Sequence, residues 1–156
     1  MKKYLLGLTA AALLGMTACT SDKDKDTELP TITDAGIIAN PVDCQVYNRG
    51  EIIPFHYRFT DNEELGNYNL EIHNNFDHHT HGTQGKSCDP DTEKRNADKA
   101  FKYNKDFAIP HGSKTYDATQ NIQIPANVEP GDYHFVIRVT DRTGNQQLRA
   151  MAIKIK

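Results

Sequence analysis

The sequence predicts an all-β domain, an antiparallel β-sandwich of about seven strands. Short runs of strict alternation recur: Ile53, Phe55, Tyr57 and Phe59 alternate with Pro54, His56, Arg58 and Thr60, the period of a half-buried strand. These runs are bounded by clusters of Gly, Pro, Asn and Asp, which supply turns at sandwich spacing. Strong helix signals are missing after the first twenty residues.

Taken in order, 33–39 suits a first edge strand that Pro41 ends or bulges, and 44–47 can continue it. A turn at 48–51 leads to the strand 52–60. The chain turns again at 61–66, and Tyr68, Leu70 and Ile72 alternate in a strand over 67–73. The region 82–104 is charged, holds Gly and Pro and has no clean period; it reads as an irregular insertion, with a short helix over 92–101 as the alternative. Strands follow at 107–109 and 116–124. The turn Glu129-Pro130-Gly131-Asp132 has the matching chemistry. Tyr133, Phe135, Ile137 and Val139 alternate in 132–140, and a tight hairpin at 141–145 leads to a last strand over 147–155.

The amino terminus carries an address. Lys2 and Lys3 precede an apolar run over 4–16, too short to span a bilayer, and Ala18 supplies the small residue before a cleavage point, so 1–18 reads as a secretory signal peptide. Met16-Thr17-Ala18-Cys19 resembles the lipobox of bacterial lipoproteins. That resemblance implies lipidation at Cys19 and anchoring through acyl chains alone; the alternative is an ordinary signal followed by a chance cysteine. Residues 19–30 are polar and charged, a solvated tether, similar to the surface-export signals of Bacteroidetes lipoproteins. The expected location is the cell envelope, on the outer membrane and exposed at the surface or facing the periplasm. Residues 31–156 suffice for one core and not two. The formal net charge is −3, and losing Lys2 and Lys3 makes it more acidic. With no basic block, nucleic acid is excluded as an expected partner, and nothing electrostatic draws the domain to an anionic membrane. Cys44 and Cys88 would meet an oxidising compartment and could form a disulfide, or remain two free thiols; with no Cys-x-x-Cys spacing, neither reads as a zinc ligand.

Four of the seven histidines and an aspartate lie within 73–81, in Ile72-His73-Asn74-Asn75-Phe76-Asp77-His78-His79-Thr80-His81. A histidine-rich tract reads as metal binding, because neutral imidazole is a borderline ligand for zinc or copper. The ending from Pro130 to Asn145 resembles the last hairpin of bacterial immunoglobulin-like domains. With Phe59-Thr60-Asp61-Asn62, the histidine tract and Gly131-Asp132-Tyr133-His134-Phe135, the chain is similar to a family of uncharacterised Bacteroidetes lipoproteins with one immunoglobulin-like domain of unknown function. That resemblance implies a fold and an address, and no activity.

In immunoglobulin order, 67–73 and 132–140 are antiparallel neighbours. With Ile72 and Phe135 facing the core, His73 and His134 both face outward at the same end of the sheet, near enough across the ladder to share an ion. The following loop can fold back over them, with Phe76 as an apolar pin and Asn74 or Asn75 hydrogen-bonded to a ring nitrogen. The expected metal ligands are His73, His79, His81 and His134. His79 and His81 share a face of an extended loop and are preferred to His78; His78 and Asp77 are alternates. Zinc(II) is the first ion, with Cu(II) or Ni(II) also allowed by all-nitrogen ligation. The bland alternative is a solvated polar loop beside two exposed histidines. His56 and His111 fall outside the site. Asp61, Asn62, Glu63, Asp141 and Asn145 gather at the opposite pole, where turn formation is preferred over calcium binding.

Three functions compete. The first is a lipoprotein that captures, delivers or buffers metal, with an envelope transporter or receptor as partner. The second is an adhesion module for protein or glycan in which any metal is structural, an analogy from fold. The third, least favoured, is a metallohydrolase using Asp77 or Glu71 as base; no His-Glu-x-x-His and no nucleophile constellation supports it. No catalytic residue and no organic cofactor is expected.

Overall fold

Alternation in the sequence becomes burial in the computed structural model, which describes residues 25–81 and 88–156. The expected signal peptide, the expected lipidation site at Cys19 and the first part of the insertion lie outside the described residues. Eight strands form: β1 (Thr31–Thr33), β2 (Gln45–Tyr47), β3 (Ile52–Thr60), β4 (Leu65–Asn74), β5 (Tyr103–Ala108), β6 (Thr115–Gln123), β7 (Gly131–Asp141) and β8 (Gln146–Ile155). They make a three-stranded sheet in the order β1-β3-β6 and a five-stranded sheet in the order β2-β8-β7-β4-β5. The described residues contain no helix.

The core lies between the sheets. Ile53, Phe55, Tyr57 and Phe59 from β3 meet Tyr68, Leu70 and Ile72 from β4 and Tyr133, Phe135, Ile137 and Val139 from β7. The Phe55 ring stacks against Phe135 with centroids 5.7 Å apart. Burying each large side chain contributes on the order of 2 kcal/mol, and a one-residue slip would turn a whole row outward. The β4–β7 register is therefore tightly specified.

Three expectations need correction. The first strand stops at Thr33 instead of running over 33–39, because Asp34 to Ile37 turn the chain: the Ile37 amide donates to the Asp34 carbonyl at 3.3 Å, and Gly36 takes φ +74°. Asn40 keeps only an isolated bridge to His56, before a cis peptide to Pro41. The segment 44–47 does not continue β1. It crosses to the other sheet, where β2 pairs in parallel with β8, so the sandwich is not wholly antiparallel. The short helix over 92–101 does not form. Its amides go elsewhere: Arg95 N–H donates to the Phe76 carbonyl, and Asp98 and Lys99 N–H donate to Glu129 Oε2 at 2.8 and 2.5 Å.

Cys44 and Cys88 form a disulfide across a sequence separation of 44, fastening the insertion beside β8. Closing a loop of that length in the unfolded chain stabilises the fold by roughly 2–4 kcal/mol. The Cys44→Ser/Cys88→Ser double variant is expected to lose that much in a urea melt. An unchanged midpoint would mean that the bridge contributes nothing.

Candidate metal centre

Strand register builds the first half of the site. His73 on β4 lies directly opposite His134 on β7, both on the outer face because Ile72 and Phe135 fill the core. The second half comes from the turn after β4. Asn75 N–H donates to the Asp132 carbonyl at 2.8 Å, and His78 N–H donates to the Asn75 carbonyl at 3.1 Å. Phe76 is buried against Tyr133, edge to face at 5.3 Å, and the Arg95 guanidinium caps its ring at 3.6 Å. His78 takes φ +58°, a left-handed conformation that histidine adopts more readily than most residues. The turn thereby brings His79 and His81 back over the strand pair.

The result is a cluster of His73, His79, His81 and His134, in which one ligand atom from each lies within 4.8 Å of all the others. His73 Nε2 is 3.2 Å from His79 Nε2 and 2.9 Å from His81 Nε2. Nitrogens bound at about 2.0–2.1 Å to a tetrahedral ion stand about 3.3–3.4 Å apart, close to this spacing.

Two carboxylates fix the rings. His79 Nδ1–H donates to Asp77 Oδ1 at 2.5 Å. Glu71 Oε1 lies 3.0 Å from His73 Nδ1, off the hydrogen-bond line but close enough for the carboxylate's charge to favour the proton on that nitrogen. A neutral imidazole protonated at Nδ1 presents a lone pair at Nε2, so the carboxylates favour tautomers whose lone pairs face one another. One proton on His81 could be shared with His73, but it cannot satisfy the whole cluster. A cation can. Carboxylates behind histidine rings are the usual support of metal-bound imidazole.

His134 is only 9% exposed, and its Nδ1 is buried without a hydrogen-bond partner. Burial, then the neighbouring His81, His79 and His73, push its pKa down to about 4. Burial lowers His73 too, with Glu71 opposing and the other rings adding; His81 is lowered by burial and by His79. These rings are therefore neutral at physiological pH, the state in which imidazole ligates. A cleft of about 450 Å³ opens beside His79, His81 and His134 and runs to the disulfide.

The structure brings together the four residues chosen from the sequence. Neither alternate joins them: Asp77 stands behind His79, and His78 borders the cleft with its Nε2 buried and unpartnered. Neither Asn74 nor Asn75 supports a ring; Asn75 Oδ1 is itself buried without a partner. Asp77 takes that place on His79, and Glu71 stands beside His73 without a hydrogen bond. Glu71 was legible only as a spare carboxylate, although its position two residues before His73 on the same face could have suggested the contact. His56 lies in the other sheet with Nδ1 3.1 Å from the Ile38 carbonyl, and His111 is an exposed neighbour of Glu64.

Fold and site together define a β-sandwich with a four-histidine cluster able to hold a metal ion. The chain belongs to the family described as Domain of unknown function (DUF4625), whose model matches residues 17–156. No curated protein matches it significantly.

Two predictions follow from this geometry. A Cβ at Gly131, where φ is +138°, would lie 2.7 Å from Phe76 Cε1 and 3.1 Å from Arg95 Nη2. Gly131→Ala should therefore cost roughly 1–3 kcal/mol in a urea melt and weaken metal binding by unseating the turn; wild-type values in both assays would contradict that packing. The second concerns pH. His134 titrates near 6.5 when unfolded and near 4 when folded, so between these values the unfolded chain holds more protons. Metal-free protein should lose stability as pH falls through that window, by up to about 3 kcal/mol from this residue. Urea melts between pH 7 and 5 should show the decline in wild type and a shallower one in His134→Ala; parallel profiles would contradict it.

Proposed function

We propose that this protein is a cell-envelope lipoprotein that binds a transition metal, zinc first, through His73, His79, His81 and His134, to capture, buffer or deliver it. The observation that carries the reading is the convergence of these four rings, with Asp77 and Glu71 behind two of them. Four protein nitrogens complete a tetrahedral shell and leave no position for a reactive water. Both carboxylates that could serve as a base already face ligand rings. Each point favours binding over hydrolysis. All-imidazole ligation without thiolate suits Zn(II), with Cu(II) and Ni(II) as competitors.

Topology supports a direction of presentation. Asp26 docks beside Asn62 and Asn145, at the pole where β4 begins, and the histidines lie where β4 ends. From Leu65 to His73 the strand rises roughly 26 Å. Cys19 precedes Asp26 by seven residues, a reach of at most about 25 Å. An acyl anchor at Cys19 would hold the opposite pole toward the membrane and turn the histidine cluster outward, toward a metal source or an envelope receptor or transporter. The cleft beside His81 and His134 favours a second reading, in which the metal shapes a recognition surface for another molecule.

Zinc titration of the full chain, purified in detergent, tests the proposal. Wild type is expected to bind one ion per chain. His73→Ala/His134→Ala should weaken binding by more than about 100-fold, beyond the effect of outer-shell changes, and Asp77→Asn by about 10-fold. Equal, weak binding by wild type and the double variant would reduce the tract to nonspecific affinity.

A further inference from the structure

A second cluster lies at the opposite pole. Asp26, Asp61 and Asp141 each place one carboxylate oxygen within 4.8 Å of the other two. Asp61 follows β3, Asp141 ends β7, and Asp26 arrives from the amino-terminal segment. Asp26 and Asp141 are 7% and 5% exposed.

Turn formation accounts for part of this chemistry. Asp61 Oδ1 accepts from the Glu63 and Glu64 amides at 2.9 and 2.8 Å. Asp141 Oδ1 accepts from the Gly144 and Asn145 amides at 2.6 and 2.7 Å, and its Oδ2 accepts from Thr143 Oγ1 and Asn145 Nδ2. Asp26 Oδ1 accepts from the Glu28 amide and Asn62 Nδ2, both at 3.0 Å. What turns do not explain is the remainder: Asp26 Oδ2 and Asp61 Oδ2 are buried with no partner. Among the described residues, no Lys, Arg or His makes an ion pair with any of the three. Lys114 Nζ, near the same turn, is bound instead to the Asn62 carbonyl at 2.8 Å.

Buried carboxylate oxygens without partners are costly, and three gathered carboxylates repel one another. A hard cation removes both costs. Oxygens bound at about 2.4 Å to one ion can stand no more than about 4.8 Å apart, the limit these three satisfy. We propose that Asp26, Asp61 and Asp141 bind a calcium ion that clamps the amino-terminal segment to this pole of the sandwich. Calcium fits better than magnesium because an irregular carboxylate set completed by water suits its flexible coordination, whereas magnesium demands near-ideal octahedral geometry. The clamp is independent of the histidine site and would fix the angle at which the domain leaves its amino-terminal connection.

The test is calorimetric titration of the full chain in detergent with CaCl2 and, separately, MgCl2, paired with tryptic cleavage after Lys25. Wild type is expected to bind one calcium with a dissociation constant on the order of 10⁻⁴ M, and calcium should slow the cleavage. Asp26→Asn keeps the Oδ1 hydrogen bonds while removing the charge; it should weaken calcium binding at least about tenfold and abolish the protection. His73→Ala/His134→Ala should bind calcium as wild type does. No calcium binding up to about 5 mM, equal binding by Asp26→Asn, or tighter binding of magnesium than calcium would each overturn the proposal.

Discussion

The pairing of β4 with β7 in one register underlies both the fold and the site. Ile72 opposite Phe135 closes the core, and the same register sets His73 opposite His134 on the outer face. A slip of one residue would expose Ile72 and bury His73. Hydrophobic burial thus fixes the position of two polar rings without spending any interaction of their own. A cross-strand pair on a central ladder is a rigid platform, and ligands held on such elements keep better geometry than ligands held on loops alone.

The remaining two rings depend on the turn after β4, which is held by packing as well as by hydrogen bonds. Phe76 sits between Tyr133 and the Arg95 guanidinium, and Gly131 leaves the space that its ring needs. Arg95 is held in turn by Glu129 at 2.6 Å. Residues from the insertion, the turn before β7 and the turn after β4 therefore support one another. Coordination would add to this arrangement rather than create it. The lone pairs that Asp77, by its hydrogen bond, and Glu71, by its charge, favour on the inner nitrogens make the metal-free cluster electrostatically poor, which would give an ion its advantage over a proton.

Much of this was legible because strand alternation carries the face of every residue. The long strands β3, β4 and β7 follow from period-two patterns, and the outward placement of His73 and His134 follows with them. The first segment was less legible: Thr31 to Ala39 contains strand-forming residues on both sides of the Asp34–Ile37 turn, and composition does not say which sheet the next piece joins. The insertion has no period to read, and its order comes from distant partners such as Glu129. Asp26 is the clearest omission. It lies in a charged stretch with the composition of a solvated tether, yet it is buried through contacts with Asn62 and Asn145 that no local pattern encodes. The disulfide could be suggested only from compartment, since nothing local places Cys44 near Cys88.

The central claim is that four imidazoles surround one ion, and X-ray absorption at the zinc edge of the zinc-loaded full chain tests it most directly. The account predicts four nitrogen or oxygen scatterers at about 2.0 Å, with the multiple scattering of four imidazole rings. A shell with two or fewer imidazoles, or a six-coordinate oxygen-dominated shell, would contradict it.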